Sequence, residues 1–367
     1  MAEKLRERLR AVEFYAGVGG FHYGLLRSEA PADVVASFDL NPTANAIYGH
    51  NFPNTAHLNR NICGLSPADL DRLRPDIFHM SPPCQPFTRQ GLRRDKDDHR
   101  TDSFFHLMSL IPQLSCPPNY ILMENVQGFE RSHTRAEFTE TLKKAGYSYQ
   151  EFLLSPSQFR VPNSRLRYYL LAKKRPLEFC MSPVEQPSQD AHALTEFSQE
   201  MAVQQGPAHS SSIEPSLSPY LENHSESYLH SLLVPTHILC KYALAMDIVR
   251  PDSTHSCCFT RGYGNYAVGT GSVLQHCLAE DDMHSCFKIF KEKGEHGDAE
   301  SAAEALLPLK LRYFSPREVA NLMCFPQDFS IPADVTIRQS YKVLGNSLNV
   351  LVVSILLKYL LCDNRTF

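Results

Sequence analysis

Hydrophobic and polar positions along the first half of the chain predict strands and helices in turn. Five apolar runs of strand length occur, in the order AVEFYAG, DVVASFDL, DIFHMSPP, YILMENV and RYYLLAKK. Segments with helical spacing lie between them, namely GGFHYGLLRSE, NPTANAIYGHNF, SFFHLMSLIPQL and RAEFTETLKKAG. Strands that alternate with helices are typical of βαβ units. The pattern therefore predicts an α/β fold with a doubly wound, mostly parallel sheet.

The pattern changes after Lys174. Residues 181–230 are rich in Ser, Pro, Gln and Glu with little apolar periodicity, which predicts a flexible insertion. Folded structure should resume at LLVPTHILCKYALAMDIV, and the Gly- and Tyr-rich run CCFTRGYGNYAVGTGSVL predicts tight loops. Further on, LRYFSPREVANLMCFPQDF predicts a helix that starts at Ser-Pro. The run YKVLGNSLNVLVVSILLKYL predicts one final helix, whose apolar part is too short to cross a bilayer.

Composition narrows the function classes only slightly. The 367 residues carry a formal net charge of −4, so nucleic-acid binding would depend on a local basic face. The eleven cysteines include no CxxC pair, and the N-terminal MAEKLRERLR lacks the apolar segment of a secretory signal. We therefore expect a protein of the reducing cytoplasm or nucleus, with no structural metal and no membrane span.

Glycines and polar residues stand at or directly after the predicted strands. The run FYAGVGGFHYGL, Phe14–Leu25, reads as a strand, a glycine turn and the start of a helix. Such a turn can be purely structural, but Asp39 follows at the end of the next strand, where a carboxylate can accept hydrogen bonds from a ribose. Together they predict a nucleoside-containing cofactor. The tight GxGG form fits adenosylmethionine at least as well as a dinucleotide.

Three further groups suggest chemistry at the same sheet edge. Prolines flank Cys84 in SPPCQPFT, which suits a nucleophile with a fixed direction better than a buried structural thiol. Glu124 and Asn125 follow a hydrophobic strand directly, either as a cap or turn or as a carboxyl group that handles a proton. Arg165 and Arg167 are two residues apart, and could form a salt-bridge face, bind phosphate, or orient a glutamate and a base carbonyl. Because ligands bind beyond the carboxyl ends of such strands, we expect these residues to share one crevice with the glycine turn.

The motifs taken together resemble those of cytosine-C5 methyltransferases. The matching stretches are FYAGVGG, SPPCQPFT, ENVQGF, NSRLRYYLL, RYFSPREVANLMCFP and GNSLNV, in that order. The resemblance implies a catalytic domain in two parts, residues 1–178 and 310–367. A smaller inserted target-recognition domain would occupy residues 179–309.

The Cys-Phe-Thr run with its Gly- and Tyr-rich loop resembles one branch of that family. This branch, the type-two DNA methyltransferase homologues, methylates transfer RNA, usually at cytosine 38 of the aspartate tRNA anticodon loop. The resemblance implies tRNA as the partner of a monomeric enzyme, with weak DNA binding possible. A DNA cytosine-C5 methyltransferase is the alternative, and an inactive cofactor- or RNA-binding scaffold is a more distant one.

The resemblance also implies roles for individual residues. S-adenosyl-L-methionine would be the cofactor and S-adenosyl-L-homocysteine the product. The catalytic residues would be the nucleophile Cys84 with Glu124, Arg165 and Arg167, where Arg165 faces the base carbonyl and Arg167 organises the site. The cofactor would be bound by Phe14, Ala16, Gly17, Gly19, Gly20, Asp39, Asn61, Ile62, Pro82, Asn346, Ser347 and Val350. The substrate would contact Arg89, Arg93, Arg94, Lys96, Asn125, Cys258, Phe259, Thr260, Arg261 and Tyr263.

Overall fold

A computed structural model describes most of the chain. The described residues are 8–83, 101–181, 187–189, 191, 194, 197, 215–275, 280–295 and 299–362. Two groups of elements follow, a large sheet with helices on both faces and a smaller lobe built from the second half of the chain.

The large sheet has seven strands in the spatial order β3-β2-β1-β4-β5-β7-β6. Their bounds are β1 Leu9–Phe14, β2 Ala32–Phe38, β3 His57–Leu58, β4 Ile77–Met80, β5 Tyr120–Val126, β6 Tyr147–Leu154 and β7 Arg167–Lys174. β7 runs antiparallel to both its neighbours, and the remaining pairs are parallel. The predicted mostly parallel sheet is confirmed. The sequence pattern missed β6, which carries several polar residues in YSYQEFLL.

Helices cover both faces of this sheet. Their bounds are α1 Gly20–Arg27, α2 Pro42–Asn51, α3 Pro67–Asp71, α4 Asp102–Leu110 and α5 His133–Lys144. Side chains of α1 join the core cluster on one face, and side chains of α4 and α5 join the cluster on the other. The arrangement is therefore doubly wound, as predicted.

The end of the chain forms two helices where one was predicted. After α10 (Pro316–Leu322) come α11 (Ile337–Asn346) and α12 (Val350–Leu361). Ser347 is extended, and the Asn349 side chain caps α12 by accepting from the Val352 N–H. The stretch 337–361 is apolar enough to cross a membrane by composition, but 83% of its most hydrophobic window is buried in the protein. It is core structure in this fold, and the break faces the site described below.

The smaller lobe contains a three-stranded sheet in the order β10-β9-β8. The strands are β8 Ile248–Val249, β9 Val273–Leu274 and β10 Arg312–Tyr313, and the helices are α6 Glu226–Ser231, α7 Thr236–Tyr242, α8 Glu280–Glu295 and α9 Ala299–Glu304. β10 pairs antiparallel with β9, so Arg312 and Tyr313 belong to this sheet. The division of the catalytic domain at 310 stays a prediction.

Part of the predicted flexible insertion is packed. Leu194 and Leu217 are fully buried, one in the cluster that contains α12 and the other in a cluster shared with α10 and α11. The described residues 215–230 include a short 3-10 helix and most of α6. Isolated leucines in a polar stretch anchor it without producing a periodic pattern, which is why the prediction was wrong there. The rest of the stretch lies outside the described residues.

Candidate active site

The glycine turn after β1 places a backbone N–H group next to a fixed carboxylate. Gly17 and Gly19 have φ angles of 55° and 87°, a backbone region that favours glycine. The Gly17 N–H donates to Asp39 Oδ2 over 2.8 Å, and the Asn41 N–H donates to Asp39 Oδ1 over 2.8 Å. Because Asp39 follows β2, the neighbour of β1, two adjacent strand ends hold this carboxylate beside the turn.

A cavity of about 460 Å³ opens where these strand ends meet. Its volume lies in the usual range of small-molecule sites. The residues predicted from the sequence that line it are Ala16, Gly17, Gly20, Asp39, Asn61, Ile62, Pro82, Glu124, Arg165, Arg167, Asn346 and Ser347. The structure therefore brings the predicted cofactor segments and three of the predicted catalytic side chains to one cavity.

Three residues predicted to bind the cofactor do not line this cavity. Phe14 is fully buried among other phenylalanines of the sheet core. Gly19 faces Phe52, where an added Cβ would lie 2.5 Å from a ring carbon. Val350 is buried, and its N–H donates to the Met323 carbonyl. These three residues pack behind the cavity wall, where their neighbours are core side chains or backbone.

Several residues predicted to contact the substrate are buried instead. The Asn125 side chain is 1% exposed and donates to the Pro82 carbonyl over 3.4 Å. Phe259 and Tyr263 are each 2% exposed, and the Tyr263 hydroxyl donates to the Ser272 carbonyl. These three side chains support the neighbouring backbone and offer no surface to a substrate.

The loop that follows Phe259 touches the end of α11 closely. An added Cβ on Gly345 would lie 2.2 Å from the Thr260 carbonyl carbon and 2.3 Å from the Arg261 nitrogen. Gly345 also lines the cavity. Arg261 is exposed beside this contact, so of the predicted substrate residues in the loop it is the charged one that a partner can reach.

Arg165 forms hydrogen bonds that connect the segment before β7, the loop at Phe259 and the break after α11. Its guanidinium donates to the carbonyls of Phe259, Gly345 and Ser347 and contacts the Cys258 sulfur at 3.4 Å. Its side chain is 3% exposed, and Nε has no hydrogen-bond partner among the described residues. The sequence predicted that Arg165 faces a base carbonyl. Most of its donors bind backbone carbonyls and so hold these segments together. Because Arg165 also lines the cavity, the contact with a base carbonyl stays a prediction.

Glu124 pairs with Arg167 at the cavity wall. Their Oε1 and Nε atoms are 3.4 Å apart, and the side chains are 12% and 15% exposed. Burial raises the pKa of Glu124 above its ordinary value, although the positive charges of Arg167 and Arg165 oppose this. A carboxyl group in this setting holds a proton more readily than one in water.

Cys258 is partly buried, and its sulfur contacts the guanidinium groups of both Arg165 and Arg167. Its sulfur is 3.4 Å from Arg165 Nη1 and 3.7 Å from Arg167 Nη2. Burial alone would raise the pKa of this thiol, but the two arginines outweigh burial and the pKa lies below its ordinary value.

The segment that carries the predicted nucleophile lies outside the described residues. It includes Cys84 and the basic residues predicted to contact the substrate, Arg89, Arg93, Arg94 and Lys96. Pro82 and Pro83, which directly precede Cys84 in the sequence, line the cavity.

Sequence reasoning missed two buried titratable residues in the cavity lining. Glu13 and His79 are fully buried, on the neighbouring strands β1 and β4. A signal was present, because each interrupts an otherwise apolar strand at a position where one face must be buried. Tyr15 was missed as well; it lines the cavity, and its hydroxyl lies 2.9 Å from Ser103 Oγ at the start of α4.

Comparison with known proteins agrees with this geometry. The family model described as C-5 cytosine-specific DNA methylase matches residues 9–362. A mouse protein named tRNA (cytosine(38)-C(5))-methyltransferase is 42% identical over 97% of this chain and 94% of its own length. A Dictyostelium discoideum protein named DNA (cytosine-5)-methyltransferase is 37% identical over 98% of this chain and 96% of its own length. The crystal structure of a mutant Spodoptera frugiperda DNMT2 superposes with a TM-score of 0.82 at 39% identity, covering 96% of this chain and 99% of that one. Because the family model covers nearly the whole chain and relatives about 40% identical match end to end, the chain belongs to the C-5 cytosine-specific DNA methylase family and is a methyltransferase.

Proposed function

We propose that this enzyme transfers a methyl group from S-adenosyl-L-methionine to C5 of cytosine in tRNA, at cytosine 38 of the aspartate tRNA anticodon loop. The observation that carries the proposal is a single cavity that joins the glycine turn and Asp39 to Glu124 and Arg167. The relatives named for tRNA methylation support the choice of substrate. An anticodon loop exposes unstacked bases. Moving one of them into a cavity therefore costs less free energy than extruding a paired base from a duplex.

The residues present fit this cofactor. The Asp39 carboxylate is fixed by two backbone N–H groups and retains lone pairs for the ribose hydroxyls. Asn61 and Ile62 would hold the adenine, and Asn346 and Ser347 would close the cavity from the break between α11 and α12. When bound, the cofactor supplies an electrophilic methyl group on a sulfonium.

The protein's own groups would activate the base. Cytosine C5 is a poor nucleophile, and attack of a Cys84 thiolate on C6 breaks the ring aromaticity and raises electron density at C5. Glu124 would donate a hydrogen bond or proton to N3 as this density develops, a role that the raised pKa of this buried carboxyl group favours. Arg167, paired with Glu124, would fix the carboxyl group's orientation. A base would then take the C5 proton, the electron pair of that C–H bond would re-form the C5–C6 double bond, and the Cys84–C6 bond would break to release the thiolate. N3 would return its proton to Glu124.

The test uses labelled cofactor with an aspartate tRNA transcript and with DNA. We expect one labelled nucleotide in the tRNA and none in a transcript with uridine at position 38. Cys84→Ala should abolish labelling, whereas Cys116→Ala, a change at an exposed cysteine away from the cavity, should preserve it. Labelled DNA with unlabelled tRNA would instead support the DNA methyltransferase alternative. Full activity of Cys84→Ala would exclude the proposed nucleophile.

A further inference from the structure

One aromatic ring of the smaller lobe faces solvent. At 69% exposed, Tyr266 is the most exposed phenylalanine or tyrosine in the part of the chain that the structure describes. It lies in the loop 260–270, which follows the Cys-Phe-Thr run. The other aromatic residues of this stretch, Phe259 and Tyr263, are each 2% exposed and pack on one another. A buried aromatic cluster is therefore close by, and the ring of Tyr266 is not part of it.

The loop holds this exposed residue in a fixed position. The Tyr266 N–H donates to the Gly262 carbonyl over 3.0 Å, and the Tyr266 carbonyl accepts from the Thr270 hydroxyl over 2.7 Å. Gly262 also lies against the ring, since an added Cβ there would be 2.9 Å from a ring carbon. Gly264, with a φ angle of 75°, packs the loop onto Tyr341 of α11 in the same way. A ring fixed in advance loses little conformational entropy when a ligand stacks on it.

A short series of contacts connects the ring to the wall of the cavity. Gly345 lines the cavity, and an added Cβ on it would lie 2.3 Å from the Arg261 nitrogen. Gly262 follows Arg261 directly and touches the Tyr266 ring. With standard bond lengths, these contacts place the ring within about 14 Å of the Gly345 Cα. Stacked nucleotides lie about 3.4 Å apart, so a base within about four nucleotides of one in the cavity can reach the ring.

The surface around the ring is basic although the chain as a whole carries a net charge of −4. Arg261 is exposed, and it is the one charged residue in the sequence between Cys257 and Ser272. The helix that the loop contacts, α11, carries Arg338 and Lys342, both exposed, and its sequence contains no acidic residue. Proteins that bind single-stranded nucleic acid combine cations that follow the phosphates with aromatic rings on which bases stack. The loop and α11 together present both features.

An unstacked base is the partner that fits this ring. Bases in an RNA loop expose faces that aromatic side chains can cover. Resting on the function proposed above, we propose that Tyr266 stacks on an anticodon-loop base within about four nucleotides of the target cytosine, while Arg261 pairs with a backbone phosphate beside it. This contact fixes the register of the RNA, so that the target cytosine and no other loop base lies at the cavity. Tyr266 therefore contributes to substrate binding and specificity, outside the reacting atoms.

Fluorescence of Tyr266→Trp tests the stacking without any measurement of activity. The chain contains no tryptophan, so the new indole would be its one tryptophan fluorophore. We expect an anticodon stem-loop of aspartate tRNA to quench this emission, with saturation followed by the anisotropy of the labelled RNA. Tyr242→Trp, at an exposed tyrosine that ends α7 in the same lobe, is the matched control and should keep its emission. Unchanged emission of Tyr266→Trp at saturation would overturn the inference.

Methylation kinetics identify the base that stacks. Tyr266→Ala should raise KM for the tRNA about 5- to 100-fold, the usual effect of one lost stacking contact, with kcat at saturation close to that of the wild type. Tyr266→Phe retains the ring and should keep the wild-type KM. Stem-loops that lack one loop base each should include one that binds the wild type more weakly by a similar factor. The same RNA should bind Tyr266→Ala no more weakly than the intact stem-loop does, because both changes remove one contact.

The outcomes separate this inference from the proposed function. If the wild type labels the tRNA but Tyr266→Ala keeps the wild-type KM, the inference is overturned and the proposed function stands. If the wild type leaves the tRNA unlabelled, the proposed function fails, and quenching of Tyr266→Trp by the stem-loop would still support the stacking. S-adenosylhomocysteine should bind Tyr266→Ala as tightly as it binds the wild type, because Tyr266 does not line the cavity. This binding shows that the variant is folded.

Discussion

Glu124→Gln tests whether the cavity keeps a carboxyl group protonated. The change preserves shape and removes the ionisable group. The folded-state pKa of Glu124 is raised by burial, against the opposing charges of Arg167 and Arg165. Because the folded value exceeds the unfolded value, the stability that Glu124 contributes is fully present below its unfolded pKa. This stability is lost as pH rises through the folded pKa.

The magnitude follows from the linkage relation. Each unit by which the folded pKa exceeds the unfolded one makes the wild type about 1.4 kcal/mol less stable, relative to Glu124→Gln, at high pH than at low pH. For a chain of this length the unfolding entropy is about 0.8 kcal/mol per kelvin, so one unit corresponds to about 2 °C in Tm. Loss of the pairing with Arg167 adds an offset to the variant, but the slope with pH between the two proteins reports Glu124 alone.

The assay compares melting temperatures of the two proteins from pH 4.5 to 8.5 and measures tRNA methylation in parallel. We expect the wild type to lose stability relative to Glu124→Gln as pH rises, and the variant to lose about 10²- to 10⁴-fold in turnover, the usual contribution of a positioned proton donor. Glu140→Gln, an exposed change on α5, is the control and should alter neither quantity. A constant Tm difference across this range would refute the raised pKa, and turnover close to that of the wild type would refute the catalytic role.

Three further changes test buried contacts, two of them at the cavity and one at the sheet of the smaller lobe. Arg165→Lys keeps the charge but cannot reach all the carbonyls that the guanidinium binds, and we expect a loss of about 2–4 kcal/mol, seen as a Tm lower by about 3–5 °C. Gly20→Ala places a methyl group 2.8 Å from Leu348, the end of a flexible side chain, so we expect little change in Tm but about 10-fold weaker binding of S-adenosylhomocysteine by calorimetry. Arg312→Ala leaves the fully buried Glu318 without its bidentate partner, and urea unfolding should show a loss of about 3–5 kcal/mol.

The sequence predicted which residues meet at the cavity because the ends of the strands can be recognised from the apolar runs. Gly17, Asp39 and Glu124 each follow an apolar run, and the carboxyl ends of β1, β2 and β5 share one sheet edge. Parallel pairing then places all three at one cavity regardless of the details of the loops. The order of strands and helices along the chain is enough for this inference, and the hydrophobic pattern shows that order.

The backbone contacts of Arg165 were not predictable in the same way. Its partners Phe259, Gly345 and Ser347 are 94 to 182 residues away in sequence, and no local pattern indicates contacts over such separations.

The break before α12 is a different case. The apolar pattern runs through it, yet Asn349 is a good N-cap residue and marked the start of a new helix. Local capping chemistry carried that information, whereas periodicity did not.

The contacts of Arg165 and Gly345 join the smaller lobe and the last two helices to the wall of the cavity. Arg165 precedes β7, donates into the loop of the small lobe at Phe259, and donates into the break after α11 at Ser347. Gly345 lets that same loop approach α11 so closely that no side chain would fit between them. Since Arg165, Gly345 and Ser347 all line the cavity, its wall is complete only when three segments, distant in sequence, have docked. A change that loosens the loop at Thr260 would therefore displace Arg165 through backbone contacts, without altering a side chain that lines the cavity.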